Sequence, residues 1–219
     1  MSVKKQLAVM ALNEIPKDII LGLGTGTTVE ACIDVIAEQD YRHQGYVFSS
    51  TRTMEYAKKY ALTGVMLNEA MSIDIYIDGT DEIDKDFIPL KGAGGAMTGE
   101  MLCARMARIF WILAEERKKV ERLGENMPLP VELVTWAQSH FARYIVGLGG
   151  SPVLRSGLSE LGNPIIDCHN LSFAEPYALA KNIEAFPGVI SHGLFVRNRP
   201  EKVILGNTTK CWVEENNLS

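Results

Sequence analysis

The sequence predicts an α/β fold in which a parallel-sheet, Rossmann-like domain is joined to a smaller ferredoxin-like α+β domain. Through the first half of the chain, short apolar runs alternate with helix-forming stretches. This alternation is typical of a parallel sheet with both faces covered by helices. Beyond a proline-containing boundary at 124–130, the order changes to a β-α-β-β-α-β-like series over a short span, which indicates the second domain.

The elements predicted for the first half follow one another at short intervals. Helices are expected over residues 4–13, 29–38, 53–60 and 97–108. Strands are expected over residues 19–22, 46–48, 65–67, 73–77 and 109–114. Because ligands of such sheets bind beyond the carboxyl ends of the strands, we expect the loops that follow these strands to face one crevice.

The second half carries fewer and more widely spaced elements. Strands are expected over residues 131–134 and 165–169, with one or two more over 189–196; helices are expected over 136–146 and 175–186. A last strand over 202–205 is predicted to return to the first sheet. The expected domains are therefore 1–126 plus 202–219 for the Rossmann-like part and 127–201 for the small α+β part.

Charge and composition exclude several classes of partner. The net charge of −5 argues against a general nucleic-acid or membrane-surface binder. We find no signal-peptide pattern and no apolar run of transmembrane length. The four cysteines are scattered without a CxxC pair, which predicts reduced thiols and a cytoplasmic protein. Cys168-His169 has no second pair at metal-ligand spacing, so we expect no metal.

A cluster of carboxylates follows the predicted strand 73–77. Asp78, Asp81 and Glu82 are succeeded by the glycine-rich loop at 91–96 and then by Glu100. Crowded acids raise one another's pKa, and such sites are typical of proton transfer on small polar substrates. The alternatives are a solvated turn at 81–82 and, for Glu100, a first-turn acid favoured by the helix dipole.

A second glycine-rich loop lies between a predicted strand and a predicted helix, at residues 22–28. Free backbone N–H groups and a helix dipole at such a turn form an anion site. The dinucleotide pattern requires glycine where Thr27 stands, and no P-loop lysine follows. A single phosphate is therefore favoured over a nucleotide, and the alternative is a tight turn with Thr27 or Thr28 as N-cap.

Three loops in order resemble the signature loops of the type A ribose-5-phosphate isomerase family. They are Gly22-Leu23-Gly24-Thr25-Gly26-Thr27-Thr28, Asp78-Gly79-Thr80-Asp81-Glu82 and Lys91-Gly92-Ala93-Gly94-Gly95-Ala96. Further matches are Ser49-Ser50, the segment 128–132, Leu148-Gly149-Gly150 and Gly193-Leu194-Phe195. The resemblance covers essentially the whole chain, and the ordered set is far more specific than any one loop.

The resemblance implies interconversion of ribose 5-phosphate and ribulose 5-phosphate through an enediolate, without metal or organic cofactor. By position, Glu100 is the proton acceptor, Asp78 and Asp81 assist ring opening, and Lys91 stabilises the enediolate oxygen. The residues that the resemblance assigns to substrate binding are Thr25, Gly26, Thr27, Thr28, Asp78, Gly79, Thr80, Asp81, Lys91, Gly92, Ala93, Gly94 and Lys118. Lys4 or Lys5 is expected to approach the phosphate.

One departure from the family pattern flanks the expected base. Gly99 and Met101 stand where the family carries arginine and lysine beside the glutamate. Weaker activity or an altered substrate is therefore expected, with catalysis retained because Glu100 is present. The alternatives are a non-catalytic sugar-phosphate-binding protein and an isomerase relative with a different sugar phosphate. A homodimer is expected because two-fold dimers are the commonest oligomers.

Overall fold

The computed structural model describes residues 1–216. Helices in this range are α1 (Val3–Glu14), α2 (Thr27–Glu38), α3 (Thr51–Lys58), α4 (Met97–Met106), α5 (Gln138–Gly147) and α6 (Pro176–Glu184). Strands are β1 (Ile20–Leu23), β2 (Gly45–Phe48), β3 (Val65–Met66), β4 (Ile73–Asp78), β5 (Glu82–Ile83), β6 (Pro89–Leu90), β7 (Ala107–Glu115), β8 (Leu129–Leu133), β9 (Ser151–Leu158), β10 (Pro164–His169), β11 (Val189–His192), β12 (Lys202–Gly206) and β13 (Cys211–Glu215). Short 3₁₀ turns occupy Leu67–Glu69, Glu116–Lys118 and Thr135–Ala137.

The chain divides into two compact units. Within the described residues, the first unit contains Met1–Thr80, Gly99–Lys118 and residues 200–216. Its sheet has the order β13-β12-β7-β4-β1-β2-β3, and its neighbouring strands run parallel except for the outer pair β12–β13. The predicted parallel α/β sheet is confirmed.

Burial explains why these strands lie inside a sheet covered by helices. The central strand β4 is buried at five of its six positions. Helices α1 and α2 present fully buried leucine and isoleucine side chains, including Leu7, Leu12, Ile33 and Ile36, to the same core cluster. Near-continuous apolar strands of this kind are expected where helices cover both faces of a sheet.

The predicted helix over 97–108 ends earlier than the sequence suggested. Helix α4 stops at Met106, and Ala107 already pairs with Ile73 of β4 as the first residue of β7. Helical periodicity continues through residues 107 and 108, but pairing with β4 extends the strand to them. The prediction was therefore wrong by two residues, because tertiary pairing overrides local propensity at element ends.

The second unit contains Asp81–Thr98 and Lys119–Arg199. Its main sheet is antiparallel with the order β11-β8-β10-β9, and α5 and α6 complete the β-α-β-β-α-β series. The predicted ferredoxin-like order is confirmed, although the position of β9 was missed. Both Val153 and Leu154 on β9 are more than half exposed, so the strand lacks the alternation of one buried face on which sequence prediction depends.

A short hairpin in the second unit carries the lysine-containing loop. Strands β5 and β6 pair antiparallel, and Leu90 bridges to Leu194. Of the one or two strands predicted over 189–196, β11 ends at His192, and Leu194 beyond it meets the hairpin only as an isolated bridge. The amide of Lys91 donates to the Gly193 carbonyl at 2.8 Å, and a Cβ on Gly193 would lie 2.0 Å from the carbonyl oxygen of Lys91.

The chain returns to the first sheet at its end, as predicted. Strand β12 pairs parallel with β7, and β13, which the sequence reading missed, adds an antiparallel edge. The last residues of the expected segment 202–219, positions 217–219, lie outside the described residues. No helix of residues 1–216 combines the length and apolar character needed to cross a membrane.

Candidate active site

Strand β4 delivers Asp78 to its carboxyl end, where the side chain is almost fully buried. One carboxylate oxygen accepts from the amides of Thr25 (3.2 Å) and Gly79 (2.7 Å). The other accepts from the Tyr76 hydroxyl at 2.6 Å. A Cβ on Gly24 would lie 2.0 Å from Oδ1 of Asp78. Only glycine at position 24 leaves room for this carboxylate, and the donors around it offset the cost of its burial.

Glu100 lies in the first turn of α4 and is 5% exposed. Burial raises the pKa of the Cys103 thiol to about 12, with further contributions from the charges of Asp78 and Glu100. The same two carboxylates help burial raise the pKa of the Tyr76 phenol well above its usual value. Glu100 and Cys103 are three residues apart on α4 and so share a face of that helix, and the charges of Asp78 and Glu100 both act on the Cys103 thiol and the Tyr76 phenol.

A chain of hydroxyl groups fixes Thr25 beside this carboxylate pair. Thr53 donates its single proton to the Gly24 carbonyl at 2.7 Å, so in the 3.0 Å bond between Ser50 and Thr53 the donor is Ser50. Thr25 donates to Ser50 at 2.8 Å, which makes Ser49 the donor in its 3.0 Å bond to Thr25. The hydroxyl proton of Thr25 is thus held within the protein, and sequence analysis had not connected Thr53 with the site.

The glycine-rich loop at 22–28 ends in an open helix N-terminus. Gly26 is the N-cap of α2, with φ of +108°, and Thr27 and Thr28 are the first helical residues. The alternative in which Thr27 or Thr28 caps the helix is therefore wrong. The first N–H groups of a helix have no carbonyl one turn earlier to accept them, so this end of α2 has the character of an anion site.

One of the two N-terminal lysines lies at this helix end, and the other is directed elsewhere. Lys4 donates to the Thr27 hydroxyl at 2.7 Å, whereas Lys5 pairs with Glu38 at 2.5 Å. The pKa of Glu115 is lowered first by its hydrogen bond to Arg117 and then by the charges of Arg117, Lys4 and Lys118. Of the two N-terminal lysines, Lys4 is therefore the one beside Thr27, and Lys118 contributes positive charge at Glu115.

The second unit carries the other predicted residues on the hairpin and the loop that follows it. Asp81 accepts from the Ala93 amide at 2.9 Å and its own amide donates to the Leu90 carbonyl at 3.0 Å. Lys91 is 3% exposed, and its ammonium lies 5.9 Å from the centroid of the Phe195 ring. Gly92 has φ of +105°, a conformation that glycine adopts without steric cost.

Glu132 is a buried carboxylate that sequence analysis quoted only as part of a matching segment. It accepts from the Thr98 hydroxyl at 2.5 Å, from Ser159 at 2.7 Å and from the Asn163 amide at 2.8 Å. Thr98 precedes Glu100 by two residues on α4. A single acid in the otherwise apolar strand β8 is the signal that points to such an anchor, because a charged group is rarely buried without partners.

Arg155 is a further residue that sequence analysis did not identify, and it lies beside the loop at 91–96. It lies on β9 and donates to the carbonyl oxygens of Gly92 and Ala93 at 2.9 and 3.2 Å. Since β9 itself was not located from the sequence, nothing marked this arginine as a neighbour of the lysine-containing loop.

Potential metal ligands do not cluster in the part of the chain that the structure describes. Among residues 1–216, no three His, Cys, Asp or Glu side chains are grouped in a way that would hold a metal ion. Of the buried carboxylates described above, Asp78 and Glu132 instead accept hydrogen bonds from amides and hydroxyls.

The fold and the site define an α/β enzyme in which a buried carboxylate and the open N-terminus of a helix lie at the carboxyl ends of parallel strands, where ligands of such sheets bind. The family model for ribose 5-phosphate isomerase A (phosphoriboisomerase A) matches residues 46–210. The chain belongs to this family, and the resemblance seen in its ordered loops is confirmed.

Individual relatives are similar to this chain over nearly its full length. Ribose-5-phosphate isomerase A from two strains of Acidithiobacillus ferrooxidans is 39% identical over 207 residues, which cover 94% of each chain. The crystal structure of ribose 5-phosphate isomerase A from Neisseria gonorrhoeae has a TM-score of 0.93 at 34% identity, covering 97% of this chain and 96% of that one. A D-ribose-5-phosphate isomerase in complex with phospho-erythronic acid has a TM-score of 0.92 at 29% identity, covering 98% and 100%.

Proposed function

We propose that this protein interconverts ribose 5-phosphate and ribulose 5-phosphate, in line with relatives that are named ribose-5-phosphate isomerase A. Within the chain itself, the observation that supports this most directly is the buried carboxylate pair Asp78 and Glu100 around Cys103. Aldose–ketose isomerisation requires a base that removes a proton from one carbon and returns it to the next. It also requires groups that stabilise the oxygen that gains charge.

Glu100 is the proposed general base. In the forward direction its carboxylate takes the proton from C2 of the open-chain aldose, and the electron pair moves through C1 onto the carbonyl oxygen. A proton then passes from the C2 hydroxyl to the oxygen on C1, and Glu100 returns its proton to C1, which gives the ketose.

The other predicted residues receive supporting roles. Lys91 is proposed to stabilise the charged enediolate oxygen, and Asp78 and Asp81 to assist ring opening and bind sugar hydroxyls. The phosphate is assigned to the helix end at Thr27 and Thr28, with Lys4 and Lys118 as cations. The remaining proposed binding residues are Thr25, Gly26, Gly79, Thr80, Gly92, Ala93 and Gly94. Phosphate binding away from the reacting carbons offsets the cost of orienting the sugar.

The test is formation of ribulose 5-phosphate from ribose 5-phosphate by the purified protein and by Glu100→Gln. Loss of a general base typically costs about 10²–10⁴-fold in rate, while the Michaelis constant is expected to change much less. Glu55→Gln, an exposed acid on α3, is the matched control. A folded parent without turnover would overturn the function, and a Glu100→Gln enzyme at the parent rate would remove Glu100 from the mechanism.

Turnover is also expected to survive a chelator. The proposed mechanism assigns stabilisation of the enediolate to the ammonium of Lys91, so no divalent cation is required for that step. The measurement is the isomerase rate before and after dialysis against EDTA. A rate abolished by the chelator and restored by one divalent metal would contradict this mechanism while leaving the overall reaction in place.

A homodimer is proposed as the assembly. Strand β9 forms one edge of its sheet and exposes Val153, Leu154 and Leu158 by more than half. A long apolar edge strand is a template for pairing with another chain, and a two-fold axis would pair β9 antiparallel with its copy. Light scattering after size exclusion is expected to give a dimer mass for the parent and a monomer mass for Leu154→Lys with Leu158→Lys.

A cytoplasmic location is proposed from the cysteines. Cys32, Cys103, Cys168 and Cys211 are all free thiols. Proteins of oxidising compartments usually pair their cysteines, whereas reduced thiols persist in the cytoplasm. Fractionation of the source cells with antibody detection would test the location directly.

A further inference from the structure

Arg155, on strand β9, hydrogen-bonds to the backbone of the lysine-containing loop at 91–96. Its Nη1 donates to the carbonyl oxygens of Gly92 at 2.9 Å and Ala93 at 3.2 Å. Its Nε and Nη2 donate to the two carboxylate oxygens of Asp167 at 2.9 and 2.5 Å. Both side chains are at most one-fifth exposed. The bidentate pair with Asp167 holds the guanidinium plane in one orientation, so that the remaining donor points at the loop.

The same peptide group that Arg155 holds also reaches a proposed catalytic residue. In a trans peptide the carbonyl and the N–H point in opposite directions. The Gly92 carbonyl faces Arg155, and the N–H of the same peptide, on Ala93, donates to Oδ2 of Asp81 at 2.9 Å. One peptide group therefore connects a partly buried cation at its carbonyl end with the Asp81 carboxylate at its N–H end.

The loop needs such a contact to keep this orientation. Gly92 has φ of +105° and Gly95 has φ of +75°, and glycines at these angles have many other accessible conformations. A turn that contains them keeps one peptide orientation only when surrounding contacts determine it. Arg155 supplies two of those contacts, and the 2.9 Å bond from the Glu160 amide to the Gly95 carbonyl supplies another.

We propose that Arg155 is a positioning residue for Asp81, acting through the Gly92–Ala93 peptide rather than on the substrate. This inference rests on the proposed function, in which Asp81 assists ring opening and binds sugar hydroxyls. Arg155 holds the peptide so that the Ala93 amide meets Asp81, and that amide fixes the direction of the carboxylate. The competing interpretation is that Arg155 and Asp167 are only an ion pair that ties β9 to β10.

A double-mutant cycle separates the two interpretations. Arg155→Met, Asp81→Asn and the double variant are assayed for kcat and KM with ribose 5-phosphate. Misplacement of a catalytic group by about 1 Å costs on the order of 10²-fold, so Arg155→Met is expected to lose about tenfold to a hundredfold in kcat. If Arg155 acts through Asp81, Arg155→Met is expected to have little further effect in the Asp81→Asn background, since coupled residues are not additive.

Two further variants control for folding. Arg155→Lys keeps a charge for Asp167 but cannot reproduce the fork, so it is expected to recover only part of the lost rate. Arg197→Met breaks the exposed pair with Glu184 (2.7 Å) in the same unit and is expected to leave kcat unchanged. An Arg155→Met enzyme at the parent rate, or additive losses in the cycle, would overturn the proposal in favour of the simple ion pair.

A readout independent of turnover keeps this inference distinct from the proposed function. Amide hydrogen exchange at Ala93, followed by NMR, is expected to accelerate in Arg155→Met and to stay at the parent rate in Arg197→Met. If the parent protein does not isomerise ribose 5-phosphate, the proposed function fails, and the exchange result still decides whether Arg155 holds the peptide. An unchanged exchange rate at Ala93 would show that Arg155 does not fix this peptide, whether or not the protein is active.

Discussion

Gly99 of helix α4 lies against the carbonyl oxygen of Ser49, so closely that a Cβ at position 99 would be 2.1 Å from that oxygen. Real Cβ atoms do not approach an oxygen so closely, and the contact is with backbone rather than with a flexible side chain. The glycine that departs from the family pattern beside Glu100 is therefore matched to the close approach of α4 to the end of β2. Arginine cannot replace it unless α4 or Ser49 moves.

Gly99→Ala is expected to reduce kcat although alanine is the better helix former by about 1 kcal/mol. The added methyl group must displace the start of α4, and with it Glu100. A shift of about 1 Å in a catalytic group costs on the order of 10²-fold. The measurement is steady-state kinetics with a thermal unfolding scan. Gly147→Ala is the matched control, because it lies on a helix with open space around its Cβ; equal kinetics for the two variants would show that the contact with Ser49 has no functional effect.

Thr28→Val is expected to raise the Michaelis constant for ribose 5-phosphate about tenfold or more. A hydrogen bond to a charged group contributes about 1.5–3 kcal/mol, and 1.4 kcal/mol corresponds to tenfold in affinity. The helix itself should remain intact because Gly26, not Thr28, is its N-cap. Thr28→Ser keeps the hydroxyl and is expected to resemble the parent. If both variants keep the parent constant, Thr28 does not bind the phosphate through its hydroxyl.

Thiol reactivity is expected to distinguish Cys211 from the other cysteines. Burial raises the pKa of Cys32, Cys103 and Cys168 to about 12 in each case, so almost no reactive thiolate is present at pH 8. Cys211 is only partly buried, although burial raises its pKa as well. With an aromatic disulfide reagent, one thiol should react in the native protein and four after unfolding. Loss of the native reaction in Cys211→Ser would identify it, and its persistence would show that a core thiol is accessible.

His43 is expected to make the protein less stable as the pH falls below neutrality. Burial lowers the pKa of His43 below 6.5, with Lys17 adding to the effect and the bond to the Pro16 carbonyl opposing it. The unfolded chain then binds the proton more readily than the folded one, so stability is lost as the pH falls through 6.5 towards the folded-state pKa. In His43→Gln the denaturant midpoint should change less with pH over this window than it does in the parent. The control variant His169→Gln, at an exposed position, should keep the parent's pH dependence. Parallel pH curves for the parent and His43→Gln would remove His43 as the cause.

The sequence alone determined the fold class and the family. Alternating apolar runs located the parallel strands because burial on both faces leaves a local pattern. The loops rich in glycine, acidic and threonine residues could also be identified from the sequence, because close backbone approach and anion binding require particular residue types at short spacing. The limits of elements were less certain, as the early end of α4 at Met106 shows.

Only the tertiary structure decided which distant residues meet. Arg155 reaches the Gly92 carbonyl across 63 positions, and it lies on an edge strand whose two exposed faces give no periodic signal. The choice of Lys4 over Lys5 beside Thr27 depends on which face of α1 packs toward α2, and the need for glycine at 99 depends on the position of Ser49. The local sequence pattern indicates which residues are buried, but which residues they contact depends on how the chain packs.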